Sequence, residues 1–327
     1  MATSLRNSNV EKLGEDVFDV LIVGGGINGA VAAAALAARG VRVALIDRGD
    51  YASGVSSHSS NLAWGGIKYL ESHEYLLVNK LCKSRNRLMR AYPSTVKEIR
   101  FFTTIQKGFR FWPFFVFLGS VLYWLMGRCV TRAPRYISAR AIEAAEPVVN
   151  TSNAAGGLEY SDCYLYDNDA RFVFNFIRKS LNYGCIAANY VASLGANREG
   201  DTWVTRARDE ISGKCFDIRS RIVINACGPW NDRLDQKPAS YWKAVNVVTR
   251  ALGNSAGLGL QSKLPQKHVM GRLFFTPWRD RTIVGTAYYP HTGPPGAARV
   301  REEEIAELLA AANEAYPSAR LTADDVT

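Results

Sequence analysis

The sequence is poor in the residues that bind metals or form disulfides. Only four histidines and six cysteines occur in 327 residues, with no Cys-x-x-Cys pair and no Cys/His cluster. This absence excludes the common zinc-site patterns, so we expect no metal site. Because no secretory signal peptide is recognisable, we expect the cysteines to be reduced thiols in the cytoplasm.

Acidic residues are outnumbered by basic ones. Forty Lys and Arg against thirty Asp and Glu give a formal net charge of +10. Nucleic acid is a common partner of such a charge, but no nucleic-acid-binding motif occurs, and we predict no nucleic-acid partner. A phosphorylated substrate and an anionic membrane surface are both attracted by a positive field. A solvated basic face without a partner is the remaining interpretation.

A glycine-rich turn between two predicted strands is the most informative motif. Residues 18–23 and 41–46 are short apolar runs, and residues 30–39 are rich in alanine, a strong helix former. The glycines between the first run and the helix match G-x-G-x-x-G, and an aspartate follows 18 residues after the last of them. In a βαβ unit this pattern places a pyrophosphate at the helix N-terminus and an acid beside a ribose. The predicted dinucleotide contacts are Gly24, Gly26, Asn28, Gly29 and Asp47; a merely structural turn is the alternative.

A polar loop follows where a nicotinamide-binding domain would usually continue with a strand. Residues 48–61 are dense in serine, and residues 64–71 read Trp-Gly-Gly-Ile-Lys-Tyr-Leu-Glu. Small hydroxyl residues and glycines suit a loop that lies along a bound cofactor, whereas a flexible linker is the other interpretation. The loop adds four predicted cofactor contacts: Ser56, Ser57, Gly65 and Gly66.

The stretch from Asp19 to Glu71 resembles the N-terminal part of FAD-dependent glycerol-3-phosphate dehydrogenases, within the D-amino-acid-oxidase-like flavoproteins. Further matches lie at residues 158–163, 225–230, 275–278 and 283–286. Their order and spacing agree from about residue 17 to the end of the chain.

The resemblance implies FAD as cofactor and oxidation of sn-glycerol 3-phosphate to dihydroxyacetone phosphate, with electrons passed to quinone. It also implies a peripheral location on the inner face of the cytoplasmic membrane. Gly228, after a predicted return strand, would approach the flavin. Lys68 and Tyr69 are the predicted substrate contacts, with packing and solubility roles as the alternative.

Two positions depart from the family pattern. Trp64 stands where the family usually has histidine, and Lys68 where it usually has arginine. Lysine keeps the charge but loses the bidentate fork, and tryptophan cannot act as a base. Residues 244–250 contain no histidine either, so the sequence leaves the identity of the general base open.

The family pattern also continues beyond Thr327, with a substrate-binding arginine and a Gly-Lys-Thr motif. We expect either a fragment or a paralogue without these parts, and slow turnover by the 327-residue chain alone.

The predicted fold class is α/β, α+β overall. A Rossmann-like FAD-binding domain, with a parallel sheet and a β-meander, is accompanied by a second domain with an antiparallel sheet. We assign residues 16–75 and 150–235 to the FAD-binding domain, residues 76–149 and 236–327 to the substrate domain, and residues 1–15 to a mobile tail.

An apolar segment interrupts the second domain. Residues 111–127 are 17 uncharged residues rich in aromatics, flanked by Arg110 and Arg128. A helix of this length is about 25 Å long, a little short for a bilayer. A core helix, a spanning helix and a helix lying in one leaflet all remain open, and aromatics beside arginines favour the membrane interface for residues 110–128.

Two other functions remain open. One is a related flavin dehydrogenase or oxidase that acts on another hydroxy or amino acid. The other is a catalytically silent, membrane-associated flavin-binding protein.

Overall fold

The computed structural model describes residues 4–109, 111–145, 152, 154–233, 240–252, 257–260 and 268–327. The chain divides into two compact units, and each is built from two separate segments. The first unit comprises Met1–Ser59 and Asn168–Ala239, and the second comprises Ser60–Asp167 and Ser240–Thr327.

The first unit contains three helices and one six-stranded sheet within the described residues. Its elements are α1 (Leu5–Glu15), β1 (Val17–Val23), α2 (Ile27–Ala37), β2 (Val43–Ile46), α6 (Asp169–Asn182), β6 (Ile186–Ala188), β7 (Val191–Glu199), β8 (Thr202–Asp209) and β9 (Cys215–Asn225). The sheet order is β6-β2-β1-β9-β8-β7. The first four strands in that order are parallel, and β9, β8 and β7 form an antiparallel meander. The predicted parallel sheet with a β-meander is confirmed.

Strand β9 belongs to both parts of this sheet. Its first half pairs antiparallel with β8, and residues 219–225 pair parallel with β1. The chain runs through residues 215–225 as one strand without a break. It serves both neighbours because β9 lies between β1 and β8, so each of its two edges faces one of them.

The second unit contains a seven-stranded sheet and four helices among the residues described. Its elements are α3 (Tyr75–Ala91), β3 (Val96–Gln106), α4 (Pro113–Met126), β4 (Arg135–Ile137), α5 (Ala139–Ala145), β5 (Ala154–Leu165), β10 (Tyr241–Arg250), β11 (Gly257–Leu260), β12 (Val269–Trp278), β13 (Arg281–His291) and α7 (Glu302–Ala315). The order is β10-β13-β12-β11-β3-β5-β4, with β11–β3 the one parallel pair among the described strands. The predicted antiparallel second sheet is confirmed with that exception.

The predicted domain boundaries differ from those of the compact units. Residues 60–75 and β5 lie in the second unit, whereas we assigned them to the FAD-binding domain. The reason is backbone pairing: Leu62 bridges Tyr164, and the Ala63 amide donates to the Cys163 carbonyl. The predicted boundaries at 149/150 and 235/236 lie outside the described residues.

The prediction of a mobile tail over residues 1–15 was wrong for the described part. Residues 5–15 form α1, which begins at a Ser4 side-chain cap and buries Leu13 completely. Asn9 donates to the Ala187 carbonyl at 2.9 Å, and Arg6 pairs with Asp209. The helix was missed because its polar side chains bond to the sheet instead of to water.

Helix α4 lies within the apolar segment, and Arg110 lies outside the described residues. Pro113 occupies the first turn, where its missing N–H costs nothing. One face packs into the second unit through Ser120 and Tyr123. On the other side of the helix Phe114 and Phe115 are 61% and 64% exposed, and the N-cap residue Trp112 is 77% exposed. None of the described helices has the length and apolar character needed to cross a membrane.

Replacement of Leu13 by alanine should lower the free energy of unfolding by about 2–4 kcal/mol, because it leaves a cavity under α1. Leu5→Ala on the same helix is the control, since Leu5 is 67% exposed and its loss should change stability by less than about 0.5 kcal/mol. Urea denaturation followed by circular dichroism measures both. Equal, negligible effects would support a mobile tail instead.

Candidate functional site

The turn after β1 has the backbone geometry that the glycine motif requires. Gly24 has φ +111°, and a β-carbon there would lie 2.5 Å from the Ala226 carbonyl oxygen. A β-carbon on Gly29 would lie 1.8 Å from the Gly24 carbonyl oxygen. Both positions therefore exclude any side chain. The first allows the tight turn against the end of β9, and the second allows α2 to start against β1.

The N-terminus of α2 opens beside the serine loop. Gly26 is the N-cap and contributes no side-chain cap, and the first amides of a helix have no partner within it. Ser56 reaches this end, where its hydroxyl accepts a hydrogen bond from the Ile27 amide at 3.0 Å. A β-carbon on Gly26 would lie 3.2 Å from that hydroxyl, so a larger residue at this position would press against Ser56.

Two further predicted cofactor contacts, Asn28 and Ser57, differ from Ser56 in their place near the N-terminus of α2. Asn28 lies in the first turn of α2 and is exposed. Ser57 instead donates to the Gly54 carbonyl at 3.1 Å and lies 3.0 Å from the His58 ring. The structure thus brings Ser56, and not the Ser57 side chain, to the helix end.

Asp47 is held rigidly at the end of β2. Its two carboxylate oxygens accept from the Gly25 amide at 2.6 Å and the Gly49 amide at 2.9 Å. Burial raises the pKa of Asp47 above its ordinary value, and the same two amide bonds act to lower it. Each oxygen keeps a second lone pair, so the group can still accept from a ribose diol.

The end of β9 joins the same turn. The Ala226 amide donates to the Val23 carbonyl at 2.8 Å, and Gly228 follows with φ +56°. Sequence reasoning missed one contact here: the Arg48 guanidinium lies 5.1 Å from the centre of the Trp230 ring. The sequence has an arginine directly after Asp47 and a tryptophan shortly after the end of β9, but nothing in the sequence pairs them.

Gly65 and Gly66 lie in the second unit, in a loop fastened to β5. The Gly65 amide donates to Asp162 Oδ1 at 3.0 Å, and the Cys82 thiol contacts the Gly65 carbonyl. A β-carbon on Gly65 would lie 2.1 Å from the Tyr123 hydroxyl oxygen. The second glycine, Gly66, has φ +82° and starts a 3-10 turn over Ile67–Leu70.

A buried polar network fixes this loop. Arg85 Nη1 lies 3.3 Å from Asp162 Oδ1, and both side chains are 1% exposed. The Tyr123 hydroxyl donates to Asp162 Oδ2 at 2.8 Å and accepts from Arg85 at 2.9 Å. Burial raises the pKa of Asp162, while Arg85, Tyr123 and the Gly65 amide act to lower it. The network was not predicted, since in sequence Arg85 looks like part of the basic face of α3.

The two predicted substrate contacts lie side by side on the 3-10 turn. The Lys68 ammonium lies 5.8 Å from the Trp64 ring centre and 5.9 Å from that of Tyr69. These two rings are 5.8 Å apart. Among the described residues Lys68 has no carboxylate partner, and its side chain is exposed. The turn thus presents one unpaired cation supported by two aromatic faces.

The residues of the first unit fit a dinucleotide. A pyrophosphate requires a close approach of the backbone, which the glycine turn allows, and amides at a helix N-terminus, which α2 supplies. A ribose requires an oriented carboxylate, which Asp47 supplies. The comparisons with known proteins agree. The family model described as "FAD dependent oxidoreductase" matches residues 19–327.

The chain belongs to this family.

Similar proteins are named for phosphorylated polyols. The chain is 30% identical to D-erythritol 1-phosphate dehydrogenase of Brucella abortus, over 94% of this chain and 61% of that protein. It is 28% identical to alpha-glycerophosphate oxidase of Streptococcus pneumoniae, over 98% of this chain and 55% of that protein. The chain thus spans little more than half the length of such relatives.

A solved structure has the same fold. Glycerol-3-phosphate dehydrogenase from Bacillus halodurans, complexed with FAD, superposes with a TM-score of 0.77 at 24% identity. The match covers 98% of this chain and 57% of that one. FAD is the cofactor of the family, as predicted.

Replacement of Gly26 by valine should weaken FAD binding by roughly a hundredfold or more, equivalent to about 3 kcal/mol. The branched side chain would displace Ser56 and fill the space at the α2 N-terminus. Gly14→Ala in α1 is the control, because its β-carbon would make only an ordinary contact with Phe216 at 3.6 Å. Titration of the apoprotein with FAD measures both, and unchanged binding in Gly26→Val would place the pyrophosphate elsewhere.

Proposed function

We propose that the protein to which this chain belongs oxidises a phosphorylated polyol with FAD. The proposed substrate is sn-glycerol 3-phosphate, the product is dihydroxyacetone phosphate, and quinone accepts the electrons. The observation that carries the proposal is the family membership, together with similar proteins that are named for phosphorylated polyols.

The residues of this chain would hold the cofactor at the first unit. Asp47 would accept from the ribose hydroxyls, and the α2 amides with Ser56 would face the pyrophosphate. When bound, FAD supplies the redox chemistry and accepts the two electrons that leave the carbinol as a hydride. The carbinol proton needs an acceptor, and Trp64, at the position of the family histidine, cannot be that base.

Lys68 is the proposed phosphate contact. Its charge has no carboxylate partner among the described residues, and its ammonium lies 5.8 Å and 5.9 Å from the ring centres of Trp64 and Tyr69. A lysine attracts phosphate as a point charge, whereas arginine would form a bidentate pair. We therefore expect weaker selection for phosphate geometry than an arginine gives.

Lys68→Ala should raise the apparent Kd for glycerol 3-phosphate by roughly tenfold to a hundredfold, since a charged hydrogen bond contributes about 1.5–3 kcal/mol. Anaerobic bleaching of the FAD-loaded protein measures it, with Lys68→Arg as the conservative variant and the exposed Lys80→Ala as control. Erythritol phosphate, unphosphorylated glycerol and D-alanine complete the substrate panel. Bleaching by D-alanine alone would indicate an amino-acid oxidase, and re-oxidation by oxygen but not by a quinone would contradict the proposed acceptor.

We also propose that α4 docks the protein on an anionic membrane surface. Four exposed apolar residues recur at helical spacing along one face of α4: Phe115, Leu118, Leu122 and Leu125. The other face is anchored in the unit by Tyr123, so the helix has a packed side and an apolar open side. Such a helix buries its open side at the headgroup boundary.

Phe114→Ser combined with Phe115→Ser should weaken binding to anionic vesicles by roughly tenfold or more, because it removes apolar area that enters the interface. Ile211→Ser with Trp242→Ser is the matched control, since these residues are 65% and 69% exposed outside α4. Co-sedimentation at increasing salt concentration gives the affinities. Equal losses of vesicle affinity in both double variants would show that α4 has no special role in membrane docking.

A further inference from the structure

A basic cavity lies between α3 and the turn that follows α4. It is lined by Lys83, Asn86, Arg87, Arg90, Arg128 and Val130, and it has about 180 Å³ of free volume. A single water needs about 10–15 Å³ on the same measure, so the cavity has room for a group much larger than water. All of these residues belong to the second unit.

The charge around the cavity is of one sign. Four of its six lining residues are cations and none is a carboxylate. Lys83, Arg87 and Arg90 are spaced at i, i+4 and i+7, which puts them on one face of α3. Within the described chain none of the four forms an ion pair, in contrast to Arg85 on the same helix, which is buried against Asp162. Four cations that repel one another around one space favour an anion within it.

The walls of the cavity are fixed by buried hydrogen bonds. The Asn86 side-chain amide donates to the Gly127 carbonyl at 2.7 Å, and its oxygen accepts from the Arg85 guanidinium at 3.2 Å. This bond ties the end of α4 to α3. Arg128 and Cys129 then both adopt left-handed backbone conformations, with φ +53° and +56°, and the chain reverses there with Arg128 at the cavity. The cations are therefore held on a rigid frame.

The cavity adjoins the open apolar face of α4. The turn begins at Gly127, one residue after the helix, and Leu122 and Leu125 are exposed in the last turns before it. A ligand that matches both features has a phosphate for the cations and acyl chains for the leucines. Single-stranded nucleic acid is disfavoured because no aromatic ring lines the cavity on which a base could stack.

We propose that this cavity binds the phosphate of an anionic phospholipid headgroup, so that docking on the membrane uses a defined lipid site as well as diffuse charge. The proposal rests on the membrane part of the proposed function, and it is independent of the oxidation reaction. It assigns Lys83, Arg87, Arg90 and Arg128 to headgroup binding and leaves Asn86 as the residue that positions the wall.

Arg87→Gln combined with Arg90→Gln tests the site, with Arg178→Gln and Lys179→Gln as the charge-matched control. The control residues are exposed on α6 and form no ion pair in the described chain. On phosphatidylcholine vesicles that contain phosphatidylglycerol, the cavity variant should bind roughly ten- to thirtyfold more weakly, since each cation near the surface contributes about 1 kcal/mol. The control should lose no more than about threefold, and Arg128→Asn, which tolerates the left-handed backbone, should follow the cavity variant.

Vesicles of equal surface charge that carry cholesteryl hemisuccinate, a carboxylate, separate a phosphate site from diffuse attraction. There we expect the cavity and control variants to bind alike. Equal losses on phosphatidylglycerol would overturn the proposal, because diffuse charge would then account for the binding. A calorimetric titration with inorganic phosphate is the second arm: if phosphate binds the parent but not the cavity variant while vesicle binding is unchanged, the site serves a soluble phosphate and not a lipid.

The test separates this proposal from the proposed reaction. In detergent, flavin bleaching by glycerol 3-phosphate should be the same in the parent and in the Arg87/Arg90 variant. If the whole protein to which this chain belongs shows no bleaching, the reaction is refuted while the vesicle result still decides the headgroup site. If the parent binds no anionic vesicle, the membrane docking and the headgroup site fail together, and the bleaching result stands.

Discussion

The second unit depends on the buried ion pair between Arg85 and Asp162. Asp162 comes from β5, Arg85 from α3 and their shared hydroxyl from Tyr123 on α4, so one network joins three elements. It also holds the Gly65 amide, and through Asn86 it reaches the turn after α4. Removal of one partner of such a pair typically costs about 3–5 kcal/mol, because the other charge is left buried and unpaired. The position of the loop that carries Lys68 and the position of the cavity wall therefore both depend on the Arg85–Asp162 pair.

The first unit is organised by close backbone approach instead of by charge. Gly24, Gly29 and the end of β9 come so near to one another that no side chain fits between them. Asp47 then has its orientation set by two backbone amides. The main chain shapes this site, and side-chain packing does not. The glycine motif can therefore be recognised in proteins of low sequence identity. In the second unit, Trp64 and Lys68 differ from the family pattern within the same loop.

The local motifs were predictable, and the long-range contacts were not. The turn at Gly24 to Gly29 follows from spacing and propensity within about 15 residues. The polar tail was mispredicted because Arg6 and Asn9 find partners nearly 200 residues away, at Asp209 and Ala187. The buried partner of Arg85 was not predicted for the same reason, since Asp162 lies 77 residues along the chain. The predicted boundary at residue 75 differs from that of the compact units, because the bonds from residues 61–65 to β5 leave no mark in composition.

The pairing of β1 with β9 has a consequence for synthesis. Val20 lies beside Ile222 in the sheet, so about 200 residues separate these neighbours along the chain. At ribosomal speeds of about 5–20 residues per second, β1 emerges roughly 10–40 s before its partner exists. During that interval the Val-Leu-Ile-Val run of β1 has an unpaired edge toward β9, and the second unit still lacks its segment Ser240–Thr327, which supplies β10 to β13 and α7. The nascent chain should therefore depend on a holding chaperone, and pauses in translation between residues 60 and 215 should raise its tendency to aggregate.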